Sequence, residues 1–183
     1  MKYISCSIYT LFYIYKLGIL LIKTLHSISS KNIQYLYLHL YLYPVSLHKE
    51  VMNNFKKTAK NFHYEFNIRH ISNVFQGLLV SNPDQFHDPE KFFHLWVHES
   101  ERVYGDRLVS PEDLVKYNTI VQAQAKKVFP SYNLARFFAA ENADPMVFCH
   151  FPENIQDKVY DMIASIDKMS HILEDALREY VYT

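Results

Sequence analysis

Three groups of residues have types and spacings that could do chemistry. His94 and His98 stand four apart, with Glu99 beside the second. On a helix that spacing turns both rings to one side, where they could hold a zinc ion. The run reads His-Leu-Trp-Val-His, however, so the Glu that acts as general base in zinc proteases is missing between them. With ten His in the chain a chance pair is common, and two surface histidines on the polar side of a helix are expected instead of a metal site. The second group is Glu99, Glu101, Arg102, Asp106 and Arg107, crowded at the end of the same segment. A solvated face is expected here, with ion pairs three or four residues apart worth about 0.2–0.5 kcal/mol each. The alternative is that some are buried at an interface, where they would serve specificity more than stability. The third is Arg69, which follows an extended segment and sits in the first turn of a predicted helix. A cation there opposes the helix dipole unless it faces an anion, such as a phosphate or carboxylate. Taken by itself, it is otherwise an ordinary surface arginine.

Missing motifs narrow the field further. There is no Gly-x-x-x-x-Gly-Lys-Ser/Thr run, and the three glycines are too far apart to make one. Without that loop no backbone nest cradles phosphates. There is also no Gly-x-Ser-x-Gly elbow and no Cys-x-x-Cys pair. No catalytic residue and no metal ligand set are therefore assigned, and an enzyme with its own complete site is not expected. Cys6 and Cys149 are too far apart to suggest a disulfide framework and read as free thiols.

The elements that must position these residues are helical. With 183 residues, 49% of them hydrophobic, the chain has enough apolar material for one folded domain. A stripe of Val51, Phe55, Ala59 and Phe62 predicts a helix over 47–62. An extended segment over 63–66 leads to a second helix over 69–80, with Ile71, Val74, Phe75, Leu78 and Leu79 on one face. Asp88-Pro89 is a helix start, and the helix it opens runs to about Gly105, burying Phe92, Phe93, Trp96 and Val97. Ser110-Pro111-Glu112-Asp113 is another start, read as a capping box, for a helix ending near Val128. A short helix over 132–139, an extended run over 146–151 and an amphipathic helix over 167–180 complete the chain. The predicted fold class is all-α: a small helical bundle with one short extended segment, preceded by a hydrophobic N-terminal segment.

Composition changes abruptly near Pro44. Residues 1–45 hold four Lys and no acid, whereas residues 46–183 hold 15 basic and 19 acidic side chains, a net charge of −4. Nothing resembles the clustered basic face of a nucleic-acid binder. The apolar run from Ile4 to Ile22 is close to the roughly 20 residues a membrane span needs. Lys16 inside it costs about 2.5–3.5 kcal/mol on insertion scales, and Tyr9, Tyr13 and Tyr15 fall at its middle. A signal peptide lacks a clear small-x-small cleavage site. The preferred reading is that residues 1–45 are a non-native or misannotated stretch, rich in residues with A- and T-rich codons. The boundaries read from the sequence are 1–45 for this segment, 46–140 for a helical domain and 141–183 for a linker.

Residues 62–79, Phe-His-Tyr-Glu-Phe-Asn-Ile-Arg-His-Ile-Ser-Asn-Val-Phe-Gln-Gly-Leu-Leu, resemble a dynein heavy-chain motif. Residues 95–109, with Leu-Trp-Val-His-Glu, Arg-Val-Tyr and Asp-Arg-Leu-Val, resemble the next motif of that family, and Val147 to Phe151 resembles a third. All three stand in family order and spacing across residues 46–183. The resemblance is to the axonemal type, to the helical lid of the third AAA+ module and the linker towards the fourth. It implies a fragment of an ATP-driven, minus-end-directed microtubule motor, with no catalysis of its own. It implies ATP and magnesium in the parent motor and none in this fragment. The implied partners are neighbouring AAA+ modules, the dynein complex and microtubules; the implied location is the cytoplasm and cytoskeleton, in a cilium or flagellum axoneme. Arg69 matches the family's nucleotide-sensing arginine, often called sensor two, and His70 stands where the family pattern has Asp. The alternative is a small membrane-anchored helical interaction protein, with residues 4–22 as its anchor.

Overall fold

A computed structural model describes residues 31–81, 86, 88–128, 130, 134, 137–138, 146–152 and 159–182, with side chains described from Tyr43 onward. The elements are α1 (Lys31–Asn54), α2 (Ile68–Leu78), α3 (Pro89–Tyr104), a 3₁₀ turn (Gly105–Arg107), α4 (Pro111–Val128), β1 (Phe148–Cys149), β2 (Asp161–Met162) and α5 (Ile166–Tyr182). The molecule is mostly helical. Most of the predicted short helix over 132–139 lies outside the described residues, as does the apolar run of residues 4–22. Among the described residues no helix is long and apolar enough to cross a membrane.

Helix α1 packs along α4, and α2 along α3, with α1 also touching α2 and α3. On α1 the packing face is Tyr43, Leu47 and Val51, spaced four apart and all buried. Tyr43 donates its hydroxyl to the Val121 carbonyl at 2.9 Å, and Ser46 donates to Gln124 Oε1 at 3.0 Å. These two bonds fix the register of α1 on α4. Pro44 lies inside α1, so the helix crosses the composition change at residue 45.

The predicted helix over 47–62 ends early, at Asn54. Phe55 is buried directly after it, but Phe62 is 68% exposed. The stripe that suggested a longer helix was therefore half coincidence. A turn takes over instead, with Asn61 N–H donating to Thr58 Oγ1 at 3.1 Å. The predicted extended run over 146–151 contains β1, and it has a partner the sequence did not suggest. β1 pairs antiparallel with β2, Phe148 opposite Met162 and Cys149 opposite Asp161. The fold is thus a helical bundle carrying a two-stranded sheet, not purely α.

Helix starts follow the local chemistry. The Asp88 carboxylate accepts from Glu90 N–H at 3.0 Å, and Ser110 Oγ accepts from Asp113 N–H at 3.1 Å. The second start is only half a capping box. The Asp113 carboxylate accepts from the Tyr64 hydroxyl at 2.9 Å, which draws it towards the segment between α1 and α2.

In the charge cluster at the end of α3, Arg102, Asp106 and Arg107 are exposed, as a solvated face requires, but Glu99 is not. Glu99 is 1% exposed. Arg102 donates to Glu99 Oε2 through Nε at 3.0 Å and Nη2 at 2.7 Å, and Tyr160 donates to Oε1 at 2.6 Å. The carboxylate hydrogen bonds hold the Arg102 guanidinium pKa above its ordinary value. Burial, reinforced by Glu99, does the same for the Tyr160 hydroxyl. On its other side Glu99 packs against Gly77 of α2, where a Cβ would overlap the carboxylate. One buried side chain therefore joins α2, α3 and the segment leading into β2.

Trp96 is fully buried, stacked on Phe93 with centroids 6.1 Å apart and meeting Tyr43 edge-on at 4.1 Å. Its neighbours come from α3 and α1; α5 makes no extensive contact with the other helices among the described residues. Trp96→Ala should cost about 3–5 kcal/mol, measured by urea unfolding, and wild-type stability would contradict this core. Gly77→Ala should cost about 1–3 kcal/mol, because α2 must move off α3 to admit the methyl group. A thermal melt unchanged from wild type would show that Glu99 has room to withdraw.

Candidate functional site: an arginine-lined cleft

Arg69 is the second residue of α2, exposed, and its position depends on an unusual cap. Asn67 is the N-cap, its side-chain oxygen accepting from Arg69 N–H at 3.0 Å. His70 completes the box: its Nδ1 accepts from Asn67 N–H at 2.9 Å. Nδ1 also lies 3.1 Å from the Asn67 carbonyl; in the tautomer that completes the box the ring carries its proton on Nε2. Burial holds the His70 pKa below its ordinary value, and the nearby Arg107 charge adds to this. Asn67 is a usual N-cap residue, but His70 stands where Glu or Gln ordinarily closes the box.

The segment before α2 is pinned to the turn after α3. His63 Nε2 donates to the Arg107 carbonyl at 3.2 Å, and Val109 N–H donates to the Tyr64 hydroxyl at 3.0 Å. These contacts bring Arg69 and Arg107 to one cleft of about 530 Å³, also lined by Phe62, His63, Glu65, Asn67, His70 and Asn73. A neighbouring cleft of about 350 Å³ shares His70, Asn73 and Arg107 and adds Gln76, Arg102 and Val103. Neither Arg69 nor Arg107 has an acidic partner within ion-pair distance among the described residues, whereas Arg102 is held by Glu99. The only carboxylate on either lining is Glu65, which pairs with Lys57 at 3.3 Å. Guanidinium groups, amides and an imidazole N–H form a donor-rich, carboxylate-poor surface suited to phosphate or carboxylate oxygens. Arg107 was read from the sequence only as part of a charge cluster.

Behind this cleft lies a line of buried aromatic and imidazole rings. Tyr104 stacks obliquely on His70 at 6.3 Å between centroids, and His48 Nδ1 lies 3.0 Å from its hydroxyl. Burial pushes the His48 pKa down to about 4, with His70 contributing.

The histidine pair of α3 is placed differently from expectation. His94 is 4% exposed, not a surface residue, and its ring meets Phe137 edge-on at 4.7 Å. His98 is partly buried and donates from Nδ1 to the Met146 carbonyl at 3.1 Å. The two rings thus serve separate packing contacts, and among the described residues no group of three or more His, Cys, Asp or Glu could hold a metal ion. Cys149, in β1, is a free thiol.

With this geometry in hand, comparison with known proteins gives a consistent result. The chain is 48% identical over 136 residues to the flagellar outer-arm dynein alpha chain of Chlamydomonas reinhardtii, covering 74% of this chain and 3% of that protein. It is 40% identical over 136 residues to the ciliary dynein beta chain of Tripneustes gratilla, again 74% of this chain and 3% of the relative. With dynein axonemal heavy chain 17 of Mus musculus it shares 37% identity over 148 residues, 81% of this chain and 3% of the relative. The chain therefore spans about 3% of the length of these curated relatives. The AAA+ lid domain matches residues 40–137, from within α1 through α4 and beyond, and covers both arginines of the cleft. Over that match, which is more than half of its length, the chain belongs to the AAA+ lid domain family.

Proposed function

We propose that this chain acts as the AAA+ lid of an axonemal-type dynein heavy chain. In this reading it is the lid of the third module, with residues 141–183 as the linker towards the fourth. One observation carries the reading: 48% identity over 136 residues to a flagellar dynein chain, alongside the AAA+ lid match. The order of the three sequence motifs supports the choice of module. In a complete heavy chain the lid is part of an ATP-driven, minus-end-directed microtubule motor. Its neighbours are the adjoining AAA+ modules of the same chain, and its location is the cytoskeleton of a cilium or flagellum. The flagellar and ciliary names of the relatives support that location.

The lid's part in this reading is to close over nucleotide and bring Arg69 to its phosphates. The residues present fit that task. The cleft offers donors to phosphate oxygens, while its single carboxylate is already paired, so magnesium would be held by the module's core and not by this cleft. Bound ATP supplies the phosphoryl group to be hydrolysed. The chain's own contribution is a guanidinium on a backbone set by the Asn67–His70 cap, which can form two parallel bonds to phosphate.

Two outcomes are expected. The purified 183-residue chain should not hydrolyse ATP, because it carries no phosphate-binding loop; clear turnover, with contaminants excluded, would refute the lid reading. In a complete heavy chain, Arg69→Ala should weaken nucleotide binding at this one module by about tenfold or more while leaving the lid folded. The measurement is nucleotide affinity with the other sites blocked. Unchanged affinity together with unchanged motility would make Arg69 an ordinary surface residue.

A further inference from the structure

We infer that Arg107 is a second phosphate-binding arginine, sharing one cleft with Arg69, so that a polyphosphate chain is gripped from both sides of the α2 N-terminus. The inference rests on the Arg69 reading and extends it to a residue 38 positions further along the chain.

Four observations carry it. Arg107 lines both adjoining clefts, and Arg69 lines the larger. Neither guanidinium has an acidic partner among the described residues, although carboxylates are frequent elsewhere on this surface. His70 lines both clefts and, in the tautomer that completes the cap, carries its proton on Nε2. An anion in the cleft would be an acceptor for that N–H. Lastly, the Arg107 backbone is fixed relative to Arg69. The His63 bond to its carbonyl and the Tyr64 bond to Val109 N–H hold the turn against the segment that leads into α2. Two cations on one lining repel, and an anion between them would relieve that repulsion.

A diphosphate group suits the cleft better than a single carboxylate. A carboxylate satisfies one planar guanidinium fork, whereas two linked phosphates present enough oxygens for both forks and the imidazole N–H. Asn73, on the same lining, adds an amide donor.

The test uses the full chain and inorganic pyrophosphate, followed by isothermal titration calorimetry and by side-chain Nε–H signals of arginine in NMR. Pyrophosphate should bind and should shift the Arg69 and Arg107 signals together, with orthophosphate binding more weakly. Arg69→Ala and Arg107→Ala should each weaken pyrophosphate binding about tenfold or more. Arg107→Lys should recover only part of this, because an ammonium lacks the planar fork. Glu65→Gln, which removes the one carboxylate of the lining, should tighten binding about threefold. Loss of binding in Arg69→Ala with none in a folded Arg107→Ala would overturn the role of Arg107 and leave the Arg69 reading standing. Loss in Arg107→Ala alone would overturn the Arg69 reading. No binding of pyrophosphate by the wild-type chain at low salt would overturn the shared site.

Discussion

The buried Glu99 carboxylate is the constraint on which the arrangement of helices turns. An ionised carboxylate taken out of water is strongly disfavoured unless its oxygens are saturated with donors. Here Arg102 of the same helix saturates one oxygen and Tyr160, from 61 residues away, the other. The tight approach to Gly77 then sets how close α2 lies to α3. Such a group adds little net stability, but it penalises every alternative packing in which a donor is lost. The position of α2, and so of the arginine at its start, is thereby tied to a polar contact in the centre of the fold and not to apolar packing alone.

A second set of contacts translates that position to the surface. Tyr64 is buried, donates to Asp113 at the start of α4 and accepts from Val109. It therefore locks the irregular segment after α1 against the turn before α4. His63, one residue earlier, reaches the Arg107 carbonyl. Two adjacent side chains of an irregular segment thus decide which arginines face each other. The regular helices supply the frame, and this short stretch supplies the geometry of the cleft.

Local signals in the sequence were read correctly where the chemistry itself is local. Asp88 and Ser110 cap their helices because an oxygen near a free N–H needs no distant partner. Trp96 and its neighbours are buried because their spacing matches one helical face. The misreadings share a different cause. The end of α1 at Asn54 was missed because Phe62 continues the apolar spacing although the chain has already turned. Glu99 looked solvated because the Tyr160 hydroxyl that completes its shell is remote in sequence. β2 was missed because two residues leave no periodicity to detect. His70 was legible as a departure from the family pattern, but its capping role needed the ring geometry. Arg69 could be singled out from the helix dipole, whereas Arg107 could not, since only the folded chain brings the two together.

Helix α5 has a mechanical consequence. Its 17 residues extend about 25 Å at the usual rise, with Leu173, Leu177, Tyr180 and Val181 exposed along it. The segment before it meets the bundle through β2, whose pairing with β1 is two residues long, through the Ile163 N–H bond to the Val147 carbonyl at 3.0 Å, through the Lys91–Asp161 ion pair at 2.7 Å and through the Tyr160 bond to Glu99 at 2.6 Å. A pull along α5 is therefore delivered to residues 160–163. From Asp161 it passes through Lys91 into α3, and from Met162 through Phe148 into the aromatic cluster beside it. A displacement of α5 is therefore coupled, through Tyr160 and Glu99, to the position of α2 and so to the shape of the arginine cleft.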